Sequence, residues 1–294
     1  MRELKMMIAA QDEGKTVRHI ALRTMQMSFA QFKRAKFQGA LLLNGEPVHA
    51  DRRVKAGQTL VIRVPEASGP RVVPSAIPLT VAYEDEDILV IDKPAPLPSV
   101  SSLKREGVTL ENAVCAYLGA PEGFCYRPVN RLDKGTSGLM VVAKHAHAQQ
   151  YLQKRLHSDA FIREYLAVCD GVPPETQGMI DAPIMKENGA SIRRVVSALG
   201  KPARTNYRVE RAGNGRSLVR LRLFTGRTHQ IRVHLASVGC PVTGDFLYGK
   251  EHPLLPRRFA LHSALLRLET LNEKNIRLES PVPDVFMRLL DHQP

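Results

Sequence analysis

Residues 130–140 read Asn130-Arg131-Leu132-Asp133-Lys134-Gly135-Thr136-Ser137-Gly138-Leu139-Met140, and the run continues as Val141-Val142-Ala143. Asp133 sits between two bases. A Gly-Thr-Ser-Gly turn follows, then an apolar stretch. That order places a carboxylate on a loop that runs into a buried strand. Arg131 and Lys134 would favour the charged, nucleophilic form of the acid. An ordinary Asp on a surface turn fits the same eleven residues equally well, so the flanking sequence has to decide.

Around this loop the chain reads as alternating short strands and helices. Val81-Ala-Tyr83 leads to an acidic turn, Glu84–Asp87, and Ile88–Ile91 is a buried-strand run that Asp92-Lys93-Pro94 brings to an end. Glu111–Leu118 and Ala146–Leu156 have helical spacing. Ile162–Cys169 reads as a strand, and Arg204–Arg211 with Ser217–Phe224 as an antiparallel pair about the turn Gly213–Arg216. Thr228 is a candidate N-cap for a helix running to Val238 and closed by Gly239. Short turns between most strands imply an α+β fold, with an antiparallel-rich mixed sheet and flanking helices.

A separate unit precedes it. Glu66–Pro78 holds three prolines and a glycine and reads as a linker between residues 1–65 and a larger domain, 79–294. From Glu13 to Pro65 there are ten Lys and Arg against three Asp and Glu, a local excess of +7. Val17, Ile20 and Ala21, then Phe29, Phe32 and Ala35, have helical spacing, with Lys33, Arg34 and Lys36 interleaved. Leu41–Leu43 meets the hairpin signal Asn44-Gly45, and Thr59–Arg63 is strand-like. Two short helices and a small hairpin sheet are expected.

The 294 residues carry a formal net charge of +13, which favours a polyanionic partner. Nucleic acid is preferred to a membrane, since there is no amphipathic basic helix and no long apolar span. A basic protein without a polyanionic ligand is the plain alternative. Cys115, Cys125, Cys169 and Cys240 lack zinc-site spacing, so no metal is expected, and the thiols read as small packed hydrophobes in a reducing, cytoplasmic setting. The glycines around Asp133 have neither nucleotide-loop spacing, and Ser137 has no His and Asp partners in order. His229 and His234 are five apart, which suits structural or RNA-facing roles more than metal binding. His145 and His147 read as surface residues.

Set beside known families, NRLDKGTSGLMVVAK resembles the nucleophile motif of the RluA-type pseudouridine synthases, whose usual wording begins His-Arg-Leu-Asp; here Asn130 replaces the His. Further segments resemble the same family in content and order. They are Ile91–Pro94, Arg163–Val168, Gly178–Pro183, Gly200–Thr205, Thr225–Leu235, Pro241–Asp245 and Arg258–Ala264. The resemblance covers roughly residues 79–283 and implies the pseudouridine synthase fold and uridine isomerisation without a cofactor. It makes Asp133 the nucleophile, Arg232 its cationic partner and Tyr165 the residue that stacks on the target base. Arg131 would displace the uridine and Leu261 would wall the pocket. Lys134, Thr136, Ser137 and Arg227 complete the expected substrate contacts. Residues 13–65 are similar to the alpha-L RNA-binding motif found in a small-subunit ribosomal protein. Lys33, Arg34 and Lys36, with Arg52 and Arg53, would then touch phosphates.

Plainer roles stand beside these. Both Arg227 and Arg232 could bind phosphate, Tyr165 could be a core aromatic, and each base of the first unit could be only a solvated charge. At the level of function the alternatives are a noncatalytic RNA-binding or ribosome-assembly protein and a glycosidase that releases uracil. The intact Asp133, Tyr165 and Arg232 disfavour the first. The absence of an evident second acid disfavours the second. The resemblance to an alpha-L module beside such a catalytic domain implies ribosomal RNA before transfer RNA, and a monomer is the default.

Overall fold

The computed structural model describes residues 2–65, 72–101, 107–189 and 191–291. Residues 66–71 of the expected linker lie outside the described residues, and 72–78 run without regular structure.

The first unit holds β1 (Arg2–Met7), α1 (Val17–His19), which continues as a π-helical turn Ile20–Thr24, α2 (Phe29–Gln38), β2 (Ala40–Leu43), β3 (Glu46–Pro47) and β4 (Thr59–Val64). The helix pair and the hairpin follow the sequence. Strand β1 does not: Met1–Ala10 carries no clear period, yet it adds antiparallel to β4 and gives a sheet of order β1-β4-β2-β3. Val17, Ile20, Phe32, Leu41, Leu60 and Ile62 form a core separate from that of the larger part. Ser28 and Gln31 close a reciprocal capping box at the start of α2.

The larger part contains β5 (Thr80–Glu84), β6 (Ile88–Lys93), α3 (Leu110–Tyr117), β7 (Ser137–Ala143), α4 (Ala146–Arg155), β8 (Phe161–Asp170), β9 (Gln177–Asp181), β10 (Ile184–Lys186), β11 (Arg194–Val196), β12 (Arg204–Gly213), β13 (Arg216–Leu223), α5 (Gln230–Ser237), β14 (Leu261–Glu269), β15 (Asn275–Glu279) and α6 (Asp284–Asp291). Nine strands form one sheet of order β5-β6-β7-β14-β8-β13-β12-β9, with β15 on β14, while β10 and β11 form their own hairpin. Among the described residues of this sheet, only the β7–β14 pair is parallel. The fold is therefore the α+β, antiparallel-rich mixed sheet expected from the turn spacing.

Strands β6 and β7 are buried on both faces, which explains their unbroken apolar runs. Leu89, Ile91, Met140 and Val142 face a core closed by α3, α5 and α6. Ile88, Val90, Leu139 and Val141 face the core under α4. Gly138 sits at φ +102, and a Cβ there would lie 2.3 Å from the Ser263 carbonyl oxygen. Only glycine lets β7 approach β14 in parallel register at this point.

Two expectations are corrected. Helix α5 begins at Gln230 and not after Thr228. His229 takes a left-handed conformation, φ 58, and the Gln230 side-chain oxygen accepts from the Arg227 amide at 2.9 Å and the Thr225 hydroxyl at 2.8 Å. This clasp ends the loop and starts the helix. His145 is buried and not at the surface: its Nδ1 accepts the Ala148 amide at the α4 N-terminus, and its Nε2 lies 2.7 Å from Asp87.

Candidate active site

The loop before β7 is pinned from several sides. The buried Asn130 side-chain oxygen accepts the Val141 amide at 2.9 Å. The Ser99 hydroxyl donates to the Leu132 carbonyl at 2.6 Å, and its oxygen faces the Leu132 amide at 3.2 Å. Leu97 donates its amide to the Lys134 carbonyl at 3.0 Å. Gly135 lies under the Phe259 ring, which a Cβ would strike at 2.7 Å. Asp133 is thereby held at the mouth of a cavity, its side chain 30% exposed.

Arg232, three residues into α5, meets it. Its Nη1 donates to Asp133 Oδ2 at 2.9 Å. Its Nε and Nη2 donate to the two oxygens of Asp245 at 2.6 and 2.7 Å. Asp245 is fully buried and also accepts the Leu247 and Tyr248 amides. The guanidinium lies 4.2 Å from the Phe259 ring centre and 5.1 Å from that of Tyr248. A planar fork fixed by one carboxylate presents its remaining edge to the other.

His229 approaches from the same loop. Its Nε2 is 3.9 Å from Asp133 Oδ2 and its Nδ1 is 2.9 Å from the Tyr248 hydroxyl. Burial holds its pKa below the usual histidine value, against the pull of Asp133. Lys93 is completely buried and donates to the Pro94 and Leu97 carbonyls at 3.0 and 2.7 Å. Burial pushes its ammonium down to about 7, opposed by Asp133 and helped by Arg258. Tyr165 on β8 is buried, and that burial pushes its phenol pKa up. It stays neutral at pH 7 and offers a ring, not a base.

Asp133, Arg131, Thr136, Tyr165, Arg227, Arg232 and Leu261 all line one cavity of about 70 Å³. That is well below the roughly 300 Å³ at the small end of ligand sites, and the exposed Arg131 and Arg227 stand on its lining. Two other residues stand apart. Lys134 is exposed and is not on the cavity lining, and Ser137 is a buried strand residue whose Oγ lies 2.9 Å from His262 Nδ1. That histidine is a partner the linear order of residues did not reveal. Its other nitrogen faces the Ser280 carbonyl and not an acid, so no hydrolase triad forms. Lys33 and Lys36 are exposed on α2, while Arg34 turns toward the Pro65 carbonyl at 3.4 Å.

From sequence, Asp245, Lys93 and Tyr248 carry no role in the site, and His229 only a structural or RNA-facing one. Asp245 and Lys93 lie inside segments that resemble the family. No spacing rule, however, links an aspartate in a turn to an arginine thirteen residues earlier.

A carboxylate gripped by a buried arginine, beside a neutral tyrosine ring and under a rim of arginines, defines a site for chemistry on a polyanion. Residues 87–237 match the model of the RNA pseudouridylate synthase family, and the chain belongs to that family. It is an RNA pseudouridine synthase, an isomerase, as its relatives also indicate. An uncharacterized RNA pseudouridine synthase of Bacillus subtilis, YjbO, is 35% identical over 86% of this chain and 90% of its own length. Ribosomal large subunit pseudouridine synthase D of Haemophilus ducreyi is 36% identical over 85% of this chain and 81% of its own. Among solved structures, human RNA pseudouridylate synthase domain containing 1 superposes with a TM-score of 0.58 at 25% identity, covering 75% of this chain and 97% of the human one.

Proposed function

We propose that this enzyme isomerises specific uridines of large-subunit ribosomal RNA in the cytoplasm, with Asp133 as the nucleophile. The Arg232–Asp133 contact carries the reading. Isomerisation must detach uracil, turn it and rejoin it through a ring carbon, and a carboxylate can either open the glycosidic bond or add to the ring. A charged carboxylate in a drying pocket needs a fixed cation, and Arg232 supplies one that Asp245 keeps from moving. Tyr165 offers a face for stacking, worth about 1–3 kcal/mol per base. Arg131 stands at the cavity mouth, where it can fill the place of an extruded uridine. Leu261 and Thr136 wall the pocket, and Arg227 faces the backbone.

Large-subunit ribosomal RNA is preferred to transfer RNA because a relative that matches most of the chain is named for it, and because a basic unit precedes the catalytic part. That unit, residues 1–65, is read as an RNA-binding arm. Release of uracil would need a second carboxylate free to activate water. Asp245 is sealed under Arg232 and has no such freedom.

The test is chemical mapping of pseudouridines in total RNA with wild type, with Asp133→Asn and without the gene. The expected result is a set of ribosomal positions lost in the last two, at unchanged RNA mass. Sites confined to transfer RNA, or substantial turnover by Asp133→Asn, would overturn the reading.

A further inference from the structure

A wide cleft of about 820 Å³ lies on the first unit, lined by residues of α1, α2 and the segment 49–51. Its composition is unusual for a solvated face. Phe29 and Phe37 are 60% and 68% exposed, and both line it together with Arg18, Lys33 and Lys36. At 3.6 residues per turn, Phe29, Lys33, Lys36 and Phe37 fall within about 100° of the α2 surface. The opposite arc of the helix, Gln31, Phe32 and Ala35, is the one buried against the unit's own core. So the packing of α2 already accounts for its inner face and leaves the aromatic and basic face unused.

Each exposed ring is already paired with a cation. The Arg18 guanidinium lies 5.7 Å from the Phe29 ring centre, and the Lys36 ammonium 5.1 Å from that of Phe37. Asp51 is the one acid on the lining. Rings alone would suit an apolar partner, and bases alone would suit any phosphate backbone. Rings interleaved with bases match a strand that offers flat base faces and phosphates together. A duplex hides its base faces, so the complementary occupant is unpaired RNA.

We propose that this cleft binds an unpaired segment of the RNA substrate. Bases stack on Phe29 and Phe37, and Arg18, Lys33 and Lys36 take the flanking phosphates. The two rings are about 12 Å apart along the helix axis, too far for one base to cover both. They serve separate nucleotides. The proposal rests on reading the protein as an RNA enzyme, and it gives the first unit a preference for single strands that charge alone would not supply.

The test measures affinity of the full-length protein for a labelled single-stranded oligoribonucleotide and for a duplex of the same sequence, across salt concentration. Phe29→Leu/Phe37→Leu should weaken single-strand binding by about tenfold or more. Duplex binding and the salt slope should stay unchanged. Lys33→Gln/Lys36→Gln should weaken both RNAs and flatten the slope by roughly one unit per lost phosphate contact. Thermal unfolding checks that each variant is folded.

Three results overturn the proposal: unchanged single-strand affinity in the phenylalanine pair, an equal loss on the duplex, or a wild-type dimer that the pair converts to monomer, which makes the rings a protein interface. The readout is affinity and not turnover. A protein that isomerised nothing yet lost single-strand affinity with the rings would still support the cleft, while sinking the reading of the active site.

Discussion

Asp245 takes two of the three donor-bearing nitrogens of Arg232, at 2.6 and 2.7 Å, and leaves the third for Asp133 at 2.9 Å. The carboxylate of Asp133 is thus held by a cation whose position is fixed elsewhere. Asp245 is fully buried and Arg232 nearly so, while Asp133 faces the cavity. The buried pair is an anchor and the third bond is its working end.

This relationship separates two variants. Asp245→Asn keeps the shape but loses the charge that aligns the fork, so the Asp133 contact loosens. Displacement of a positioning group by about 1 Å can cost a hundredfold in rate, and a loss of that order in kcat is expected with RNA affinity nearly unchanged. Arg232→Lys offers a point charge in place of the planar fork and cannot bridge both acids, so one of the two ion pairs is broken. Breaking such a buried pair costs about 3–5 kcal/mol. Denaturant unfolding should show that loss in Arg232→Lys, with activity abolished. Equal activity of Asp245→Asn and wild type would remove Asp245 from the positioning of Arg232.

The site was legible in the sequence where roles lie in a contiguous motif. Asp133, Tyr165, Arg232 and Leu261 sit in segments that resemble a known family, and the fold brings them to one cavity. The fold class was legible because β6, β7, β8, β12 and β13 have distinct hydrophobic periods. The rest was hidden for physical reasons. Strand β1 is an edge strand with mixed residues, and only its pairing with β4 identifies it. Strand β14 mixes His262 and Ser263 into its apolar run, so it lacks a clean period although it is central. Asp245 is a turn residue whose meaning comes only from the helix folded over it.

Lys93 predicts a pH dependence of stability. Its folded pKa is lowered to about 7, chiefly by burial, from the ordinary lysine value of 10.5. Between those values the unfolded chain holds a proton that the folded chain does not, so stability rises with pH across that window. The contribution is fully present above 10.5 and is lost as pH falls toward 7. Lys93→Met keeps most of the volume and removes the titration. The unfolding free energy of wild type minus variant should therefore grow from pH 7 to pH 9, by at most about 1.4 kcal/mol per pH unit. A difference that stays flat would show that the amine keeps its proton in the fold.

Tyr248 predicts an effect on His229. The Tyr248 oxygen already accepts the Arg194 amide at 2.8 Å, so its proton goes to His229 Nδ1 at 2.9 Å. That fixes the neutral tautomer with Nε2–H toward Asp133. Tyr248→Phe frees the ring to adopt the other tautomer. A fall in kcat of about tenfold, or 1.4 kcal/mol, is expected with RNA affinity unchanged. Single-turnover kinetics would measure it, and wild-type rates across pH 6 to 9 would reduce Tyr248 to packing.

Asn130 stands where the RluA-type motif usually has His, and its environment says what the position requires. The side chain is 5% exposed, and its oxygen accepts the Val141 amide at 2.9 Å, tying the loop to β7 two residues beyond Leu139. A histidine nitrogen can accept the same bond, and neither residue faces the cavity that Asp133 lines. Asn130 therefore holds the loop, while Arg131 and Asp133 line the cavity. Asn130→His should change the rate constant by less than about tenfold. Asn130→Leu, which cannot accept the amide, should lower stability by about 1–3 kcal/mol, the cost of an unsatisfied buried donor, and reduce activity through the displaced loop. Rate measurements from pH 6 to 9 decide the matter: a new bell-shaped profile in Asn130→His would place position 130 in proton transfer, and an unchanged profile keeps it in the scaffold.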